Sequence, residues 1–220
     1  MKKVGLLLSG CGFNDGSEIH ESVISMLALD RAGVETVIMA PNIDQMHVVN
    51  HYTGQEMDEF RNVLVESSRI ARGNIKDMAE VTGNDLDALI IPGGFGVAKN
   101  LSDYAMAGPD CSVNPDVYRL VSEIYLLKKP IGAICIAPVM MAKIFGEQDV
   151  SAEMTIGSDE LTSKDINTMG SKHIKCLVSE MIIDEDKKLV TTPAYMEAQS
   201  IKEAAEGIEK LVKQVLLMIE

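Results

Sequence analysis

Apolar residues fall in short runs, separated by stretches of mixed polarity, along all 220 positions of the chain. KVGLLLSG is such a run ending in glycine, and it predicts a buried strand; ETVIMAP, LDALIIPGG and IGAIC read the same way. Between them, GSEIHESVISMLALDRAG has apolar residues at 19, 23, 26, 27 and 29 and stops at Gly33, the pattern of an amphipathic helix closed by glycine. EMDEFRNVLVESSRIARG reads as a second helix, closed by Gly73. NPDVYRLVSEIYLLKKP is a third, with Pro115 near its start and Pro130 beyond its end, and APVMMAKIF is a fourth. The segment from Asn42 to about Glu56 is polar and loop-like and holds His47 and His51. Near the end, CLVSEMIIDEDKKLVTTPA alternates around a charged turn, Asp184 to Lys188, and predicts a hairpin; AQSIKEAAEGIEKLVKQVLLMIE predicts a final amphipathic helix.

Strands alternating with helices imply parallel β-α units. The fold class is therefore α/β: a flavodoxin-like, doubly wound, mostly parallel sheet with helices on both faces and a C-terminal hairpin plus helix. No repeat, low-complexity tract or linker interrupts the pattern, so residues 1–220 read as one domain. Ligands of such sheets bind beyond the carboxyl ends of the strands. Three glycine-bearing strand ends, LSGCGFNDGSE, IIPGGFG and GAICIAP, should line that edge.

Composition narrows the function. Lys and Arg total 20 against 33 Asp and Glu, a formal net charge of -13, which argues against a phosphate-tracking nucleic-acid binder. The four cysteines, at 11, 111, 135 and 176, form no C-x-x-C pair and fit a reducing, cytoplasmic location. MKKVGLLLSGCG imitates a lipoprotein leader, but its apolar core, Val4 to Leu8, is shorter than the ~7–15 residues a leader needs. No run approaches the roughly 20 apolar residues of a membrane helix. His47 and His51 are four apart in loop- or strand-like sequence rather than on a helix face, so no metal is expected. SGCGFNDG lacks both G-x-G-x-x-G and G-K-[ST], so no nucleotide cofactor is expected either.

The candidate chemistry centres on Cys135, where IGAI gives way to APVMM. A cysteine in an apolar run reads equally well as core. At a strand-to-helix turn, however, the following helix N-terminus favours thiolate, and small neighbours at 132, 133 and 137 let the turn close as in a nucleophile elbow, although G-x-S-x-G is absent. Glu21, early in the first helix, is the expected partner; Glu18 shares its face and reads as a capping group, while His20 points elsewhere. The turn containing Gly94 and the N–H of Ile136 are the expected oxyanion donors. Cys11 is a possible second thiol at the rim; Cys176 reads as core and Cys111 as peripheral.

Three blocks resemble the ThiJ/PfpI superfamily, which is related to class I glutamine amidotransferase domains. AICIAP is similar to that family's A-[IV]-C-x-[GA]-P around its cysteine nucleophile, and IIPGGFGVAKNLS to its P-G-G turn and following helix. GSEIHESVISMLALDRAG is similar to its first helix, in which a glutamate lies twelve residues before a glycine stop; Glu21 and Gly33 have that spacing and Glu18 does not. The resemblance spans most of the chain, apart from an elongated segment at about 42–80 and an insertion at about 104–114. SGCG, DGSEIHE, CIAP and TTPAYM look closest to the ElbB-like branch, the enhancing-lycopene-biosynthesis proteins, described as glutathione-independent glyoxalases. The resemblance implies slow, cofactor-free conversion of a small dicarbonyl, glyoxal to glycolate, through a Cys135 hemithioacetal with Glu21 as proton shuttle, in a homodimer. PfpI-type peptidases carry histidine directly after the cysteine; Ile136 stands here, so proteolysis is not expected. His173 is the one histidine of the second half and a possible accessory group. The long segments at 42–80 and 104–114 should narrow the mouth of the site and favour glyoxal over methylglyoxal. Two other classes stay open: a redox-sensing or chaperone-like protein in which Cys135 is oxidised to sulfinate, and a non-catalytic, amidotransferase-like binding module.

Overall fold

The computed structural model describes residues 1–220. Its strands are β1 (Lys3–Leu7), β2 (Glu35–Ala40), β3 (Val49–Asn50), β4 (Gln55–Glu56), β5 (Lys76–Asp77), β6 (Ala88–Ile91), β7 (Ile131–Ile134), β8 (Glu153–Met154), β9 (Lys172–His173), β10 (Ile182–Asp184) and β11 (Leu189–Thr192). Its helices are α1 (Ile19–Arg31), α2 (Val63–Ile70), α3 (Tyr104–Ala107), α4 (Pro115–Leu126), α5 (Ala137–Gly146), α6 (Glu160–Thr168) and α7 (Ile201–Leu217). The central sheet runs β10-β11-β7-β6-β1-β2-β5 and is parallel except for β10, which pairs antiparallel with β11 as the predicted hairpin. The chain turns outward from β1 in both directions, so the topological switch lies between β1 and β6. This is the flavodoxin-like α/β arrangement expected from the sequence.

Both faces of the sheet are covered, which is why its strands read as continuous apolar runs. Leu7, Leu89, Ile91, Ile131, Ala133 and Leu189 point into one core with α4 and α5. Val4, Leu6, Ile90, Ile134 and Val190 point into the other, beneath α1, α2 and α7. No helix is long and apolar enough to cross a membrane.

α1 departs from its predicted face. It buries Glu21, Ser22, Ile24, Ser25 and Leu29, and leaves Ile19, Val23 and Leu27 41, 47 and 42% exposed. Its inward side holds a carboxyl and two serines, so counting apolar residues picks the outward side. α2 starts later than expected because Asn62 caps it, accepting from Val65 N–H, and residues before it pair as an isolated bridge between Asp44 and Asn62. α6 is mostly polar and was not foreseen; neither were the two-residue strands β5, β8 and β9. Cys111, expected at the periphery, is 1% exposed. Cys176, expected in the core, lies half-buried in the loop before β10.

The long segment after β2 acts as a brace for the loop that follows β1. Asn100, in a π-helical turn at Val97–Leu101, donates through Nδ2 to the carbonyls of Ser9 and Asp15, both at 2.8 Å, and accepts from Met46 N–H at 3.0 Å. The buried Asp15 carboxylate accepts from Val49 N–H at 2.7 Å, and Asn14 N–H donates to His51 Nε2 at 3.3 Å. These bonds tie residues 46–51 to residues 9–16 and so fix a wall of the candidate site. Replacing Asn100 by alanine would leave two buried carbonyls and a part-buried N–H without this partner. Asn100→Ala should therefore lower the unfolding free energy by about 1–3 kcal/mol in urea titrations; a change below about 0.5 kcal/mol would show that the brace is not structural.

Candidate active site

Cys135 stands between β7 and α5 with φ +62°, a left-handed conformation uncommon for a residue with a side chain. Such a strained strand-to-helix turn is the backbone geometry of a nucleophile elbow. Its N–H donates to the Thr192 carbonyl at 3.0 Å, and Pro138 sits in the first turn of α5. The N–H groups of Gly94 and Ile136 point at the sulfur.

Glu21 has no solvent exposure. One carboxyl oxygen accepts from Gly93 N–H at 2.8 Å and the other from Tyr195 N–H at 3.3 Å. The Cys135 sulfur stands beside this carboxyl across Gly93. Glu18 caps α1 by accepting from Glu21 N–H at 2.7 Å, as the sequence predicted, and its side chain also faces the cavity above Cys135. Gly93 makes the pairing sterically possible. A Cβ there would come within 2.8 Å of the Glu21 carboxyl oxygen and 2.9 Å of the Cys135 sulfur, and closer still to Cys135 Cβ.

Electrostatics in this pair run opposite to the thiolate expected from the helix N-terminus. Burial, followed by the charge of Glu18, pushes Glu21 up to about 8, against the opposing N–H groups of Gly93 and Tyr195. Burial, followed by the charge of Glu21, pushes the Cys135 thiol well above its ordinary value. The N–H groups of Gly94 and Ile136 favour thiolate but do not outweigh burial. At neutral pH the resting site is mainly a neutral thiol beside a neutral carboxylic acid.

A cavity of about 450 Å³ opens over Cys135. Phe13 and Gly94 come from the turns after β1 and β6, and Tyr195 and Met196 from the turn after β11. Tyr104 and Ala105 line it, so the insertion at 104–114 does flank the mouth, whereas the segment at 42–80 acts from behind, through the brace. The volume is far larger than a two-carbon dialdehyde needs.

The structure brings Cys135, Glu21, Gly94 and Ile136 together. It does not bring the two accessory candidates to them. Cys11 lies outside the cavity lining, beside Glu66, Arg69 and Asp15, and burial raises its thiol. His173 sits on β9, where Nε2 accepts from Ile156 N–H at 3.3 Å and approaches Ser163 Oγ at 3.4 Å. Sequence reasoning missed Tyr195, whose N–H holds Glu21 and whose hydroxyl lies 2.7 Å from His20 Nδ1. The TTPAYM string was its only signal. It also missed Asp159 and Thr162, which line the cavity from the start of the unforeseen α6.

The sequence profile of the DJ-1/PfpI family matches residues 11–199, a span that contains the whole site. The chain is 44% identical over 224 residues to the glutamine amidotransferase-like class 1 domain-containing protein 3, mitochondrial, of Homo sapiens, covering 97% of this chain and 82% of that protein. It is 43% identical over 224 residues to the ES1 protein homolog, mitochondrial, of Rattus norvegicus, covering 97% of this chain and 83% of that one. Among solved structures, an isoprenoid biosynthesis protein with amidotransferase-like domain from Ehrlichia chaffeensis aligns over 100% of both chains with a TM-score of 0.94 at 36% identity.

The raised Glu21 has a thermodynamic signature. Its carboxyl binds a proton more tightly in the folded chain than in the unfolded one. Its contribution to stability is complete below about pH 4.5 and is lost as pH rises toward about 8. Urea unfolding measured across that window should show stability falling with pH, by at most about 5 kcal/mol from this group. Glu21→Gln should flatten the slope, and an identical slope in that variant would assign the pH dependence to other groups.

Proposed function

The chain belongs to the DJ-1/PfpI family, and on that footing we propose that it is a cofactor-independent glyoxalase that converts glyoxal to glycolate, with Cys135 as nucleophile and Glu21 as proton shuttle. The observation that carries the proposal is geometric: a fully buried carboxyl, pushed up to about 8, and a buried thiol at a left-handed strand-to-helix turn meet across Gly93. An acid-base group works best when its proton affinity sits near the working pH. Near neutrality Glu21 is mainly protonated, and its ionised form is a stronger base than an ordinary carboxylate.

In this reaction Glu21 carboxylate takes the thiol proton, and the sulfur attacks one aldehyde carbon. The C–S bond forms and the carbonyl π pair moves to oxygen, where the N–H groups of Gly94 and Ile136 hold it. Glu21 returns the proton to that oxygen, which completes the hemithioacetal. It then removes the C–H proton from the same carbon. The electron pair passes to the neighbouring carbonyl through an enediol, Glu21 delivers the proton to the second carbon, and the hydroxyl proton of the first carbon passes to the second oxygen. The first carbon is now oxidised to a thioester and the second reduced to an alcohol. Water cleaves the C–S bond, releases glycolate and restores the thiol. The hydride equivalent moves within the substrate, so the step needs no external oxidant or reductant.

The test is consumption of glyoxal and formation of glycolate by purified protein, with a peptide as a negative substrate, against Cys135→Ala. Activity should vanish in Cys135→Ala and drop roughly 10²–10⁴-fold in Glu21→Gln. The pH profile of kcat/KM should rise toward about 8. In Glu18→Gln the rising limb should move to lower pH, because the charge of Glu18 is one of the causes that raise Glu21. Cys135-dependent peptide hydrolysis, or stoichiometric oxidation of Cys135 by peroxide with no dicarbonyl turnover, would overturn the proposal.

A further inference from the structure

We propose that the cavity over Cys135 is a binding subsite for an uncharged, apolar, ring-sized group on the carbonyl substrate, so that the preferred substrates are 2-oxoaldehydes with an apolar substituent rather than glyoxal itself or a carboxylated analogue. This rests on Cys135 being the group that meets the substrate, and it adds the substrate class.

Three observations carry it. The first is size. About 450 Å³ falls in the range of sites that hold ligands of drug size, while a water molecule's share of liquid volume is about 30 Å³. A four-atom dialdehyde would leave most of this space wet. The second is the character of the walls. Nine of the 13 lining residues are hydrophobic, and Phe13 and Phe95, each 50% exposed, present aromatic surface at the rim. Concave, exposed aromatic surface marks a binding site more often than an isolated apolar residue does. These rings are also held in place. Phe95 N–H donates to the Phe13 carbonyl at 2.7 Å. The Phe13 ring meets His51 edge-on with centroids 5.6 Å apart. Lys99 lies over the Phe95 ring at 5.2 Å while donating to the Asn14 carbonyl at 2.9 Å.

The third observation is charge. Glu18 and Asp159 line the cavity, and no lysine, arginine or histidine does. The nearby Lys99 is engaged by Asn14 and Phe95. A carboxylate on the substrate would face two acidic side chains and no cationic partner, and like-charge repulsion disfavours it. An apolar ring would instead exchange water for aromatic contact.

Alkylation of Cys135 tests the cavity without relying on turnover, because thiolate sulfur simply displaces iodide. Iodoacetamide, its N-phenyl derivative and iodoacetate are compared at pH 8.5 by peptide mapping, each rate divided by that reagent's rate with free cysteine. Cys135 should favour the N-phenyl reagent over iodoacetamide by at least about tenfold and disfavour iodoacetate by a similar factor, within the range one pocket contact can supply. Phe13→Ala and Phe95→Ala, both on the half-exposed rim, should lower the ratio of the N-phenyl rate to the iodoacetamide rate toward one. In parallel, kcat/KM is measured for phenylglyoxal, its 4-carboxyl derivative and glyoxal, all of which carry the two adjacent carbonyls that the reaction needs. Equal normalised rates for the three reagents, or no labelling of Cys135 by any of them, would overturn the inference. If the phenyl preference holds but no dicarbonyl is consumed, the subsite stands and the glyoxalase reaction falls. If glyoxal is consumed as readily as phenylglyoxal and labelling shows no preference, the reaction stands and the subsite falls.

Discussion

The site depends on one close approach: a carboxyl from α1 and a thiol from the end of β7 meet across a residue with no side chain. Gly93 is the floor on which Glu21 and Cys135 touch, and its N–H is also a hydrogen-bond donor to the carboxyl. Everything else in the neighbourhood serves that contact. The left-handed turn at Cys135 lifts the sulfur off the sheet edge, and the cap provided by Glu18 fixes the start of the helix that delivers Glu21. Burial then sets the protonation of the contact, because it pushes the carboxyl from the ordinary acidic range up to about 8.

The sheet explains why these groups could be assembled from such distant parts of the chain. β1, β6, β7 and β11 are parallel neighbours, so the segments leaving their carboxyl ends emerge on the same edge beside the topological switch. The turn after β1 leads to Glu21, that after β6 gives Gly93 and Gly94, that after β7 gives Cys135 and Ile136, and that after β11 gives Tyr195. Four connections, each short at the point of use, converge without a loop having to cross the site.

Much of this was legible in the sequence. The strands could be read because burial on both faces forces continuous apolar runs, and glycine at their ends marked the functional edge. The cysteine, the glutamate and the two backbone donors could be placed from spacing and resemblance together. The failures have physical causes. α1 was assigned the wrong buried face because its buried side is made of Glu21, Ser22 and Ser25, which periodicity of apolar residues cannot see. α6 is stabilised by its cap and by packing of a single buried isoleucine, Ile166, rather than by an amphipathic stripe. The protonation state of Cys135 was misjudged because the helix start was visible in the sequence and the depth of burial was not. Tyr195 acts on Glu21 through its backbone N–H, which leaves no compositional trace.

The brace built around Asn100 and Asp15 has a consequence for the thermodynamics of association. The wall carrying Phe13 is already fixed in the free chain by hydrogen bonds from segments remote in sequence. An incoming molecule does not have to order that loop, so little backbone entropy is lost when it docks, and the surface it covers is mostly apolar. Calorimetry of such an encounter would register a negative heat-capacity change from dehydration of the rings, without the large unfavourable ordering entropy that accompanies a loop folding around its guest.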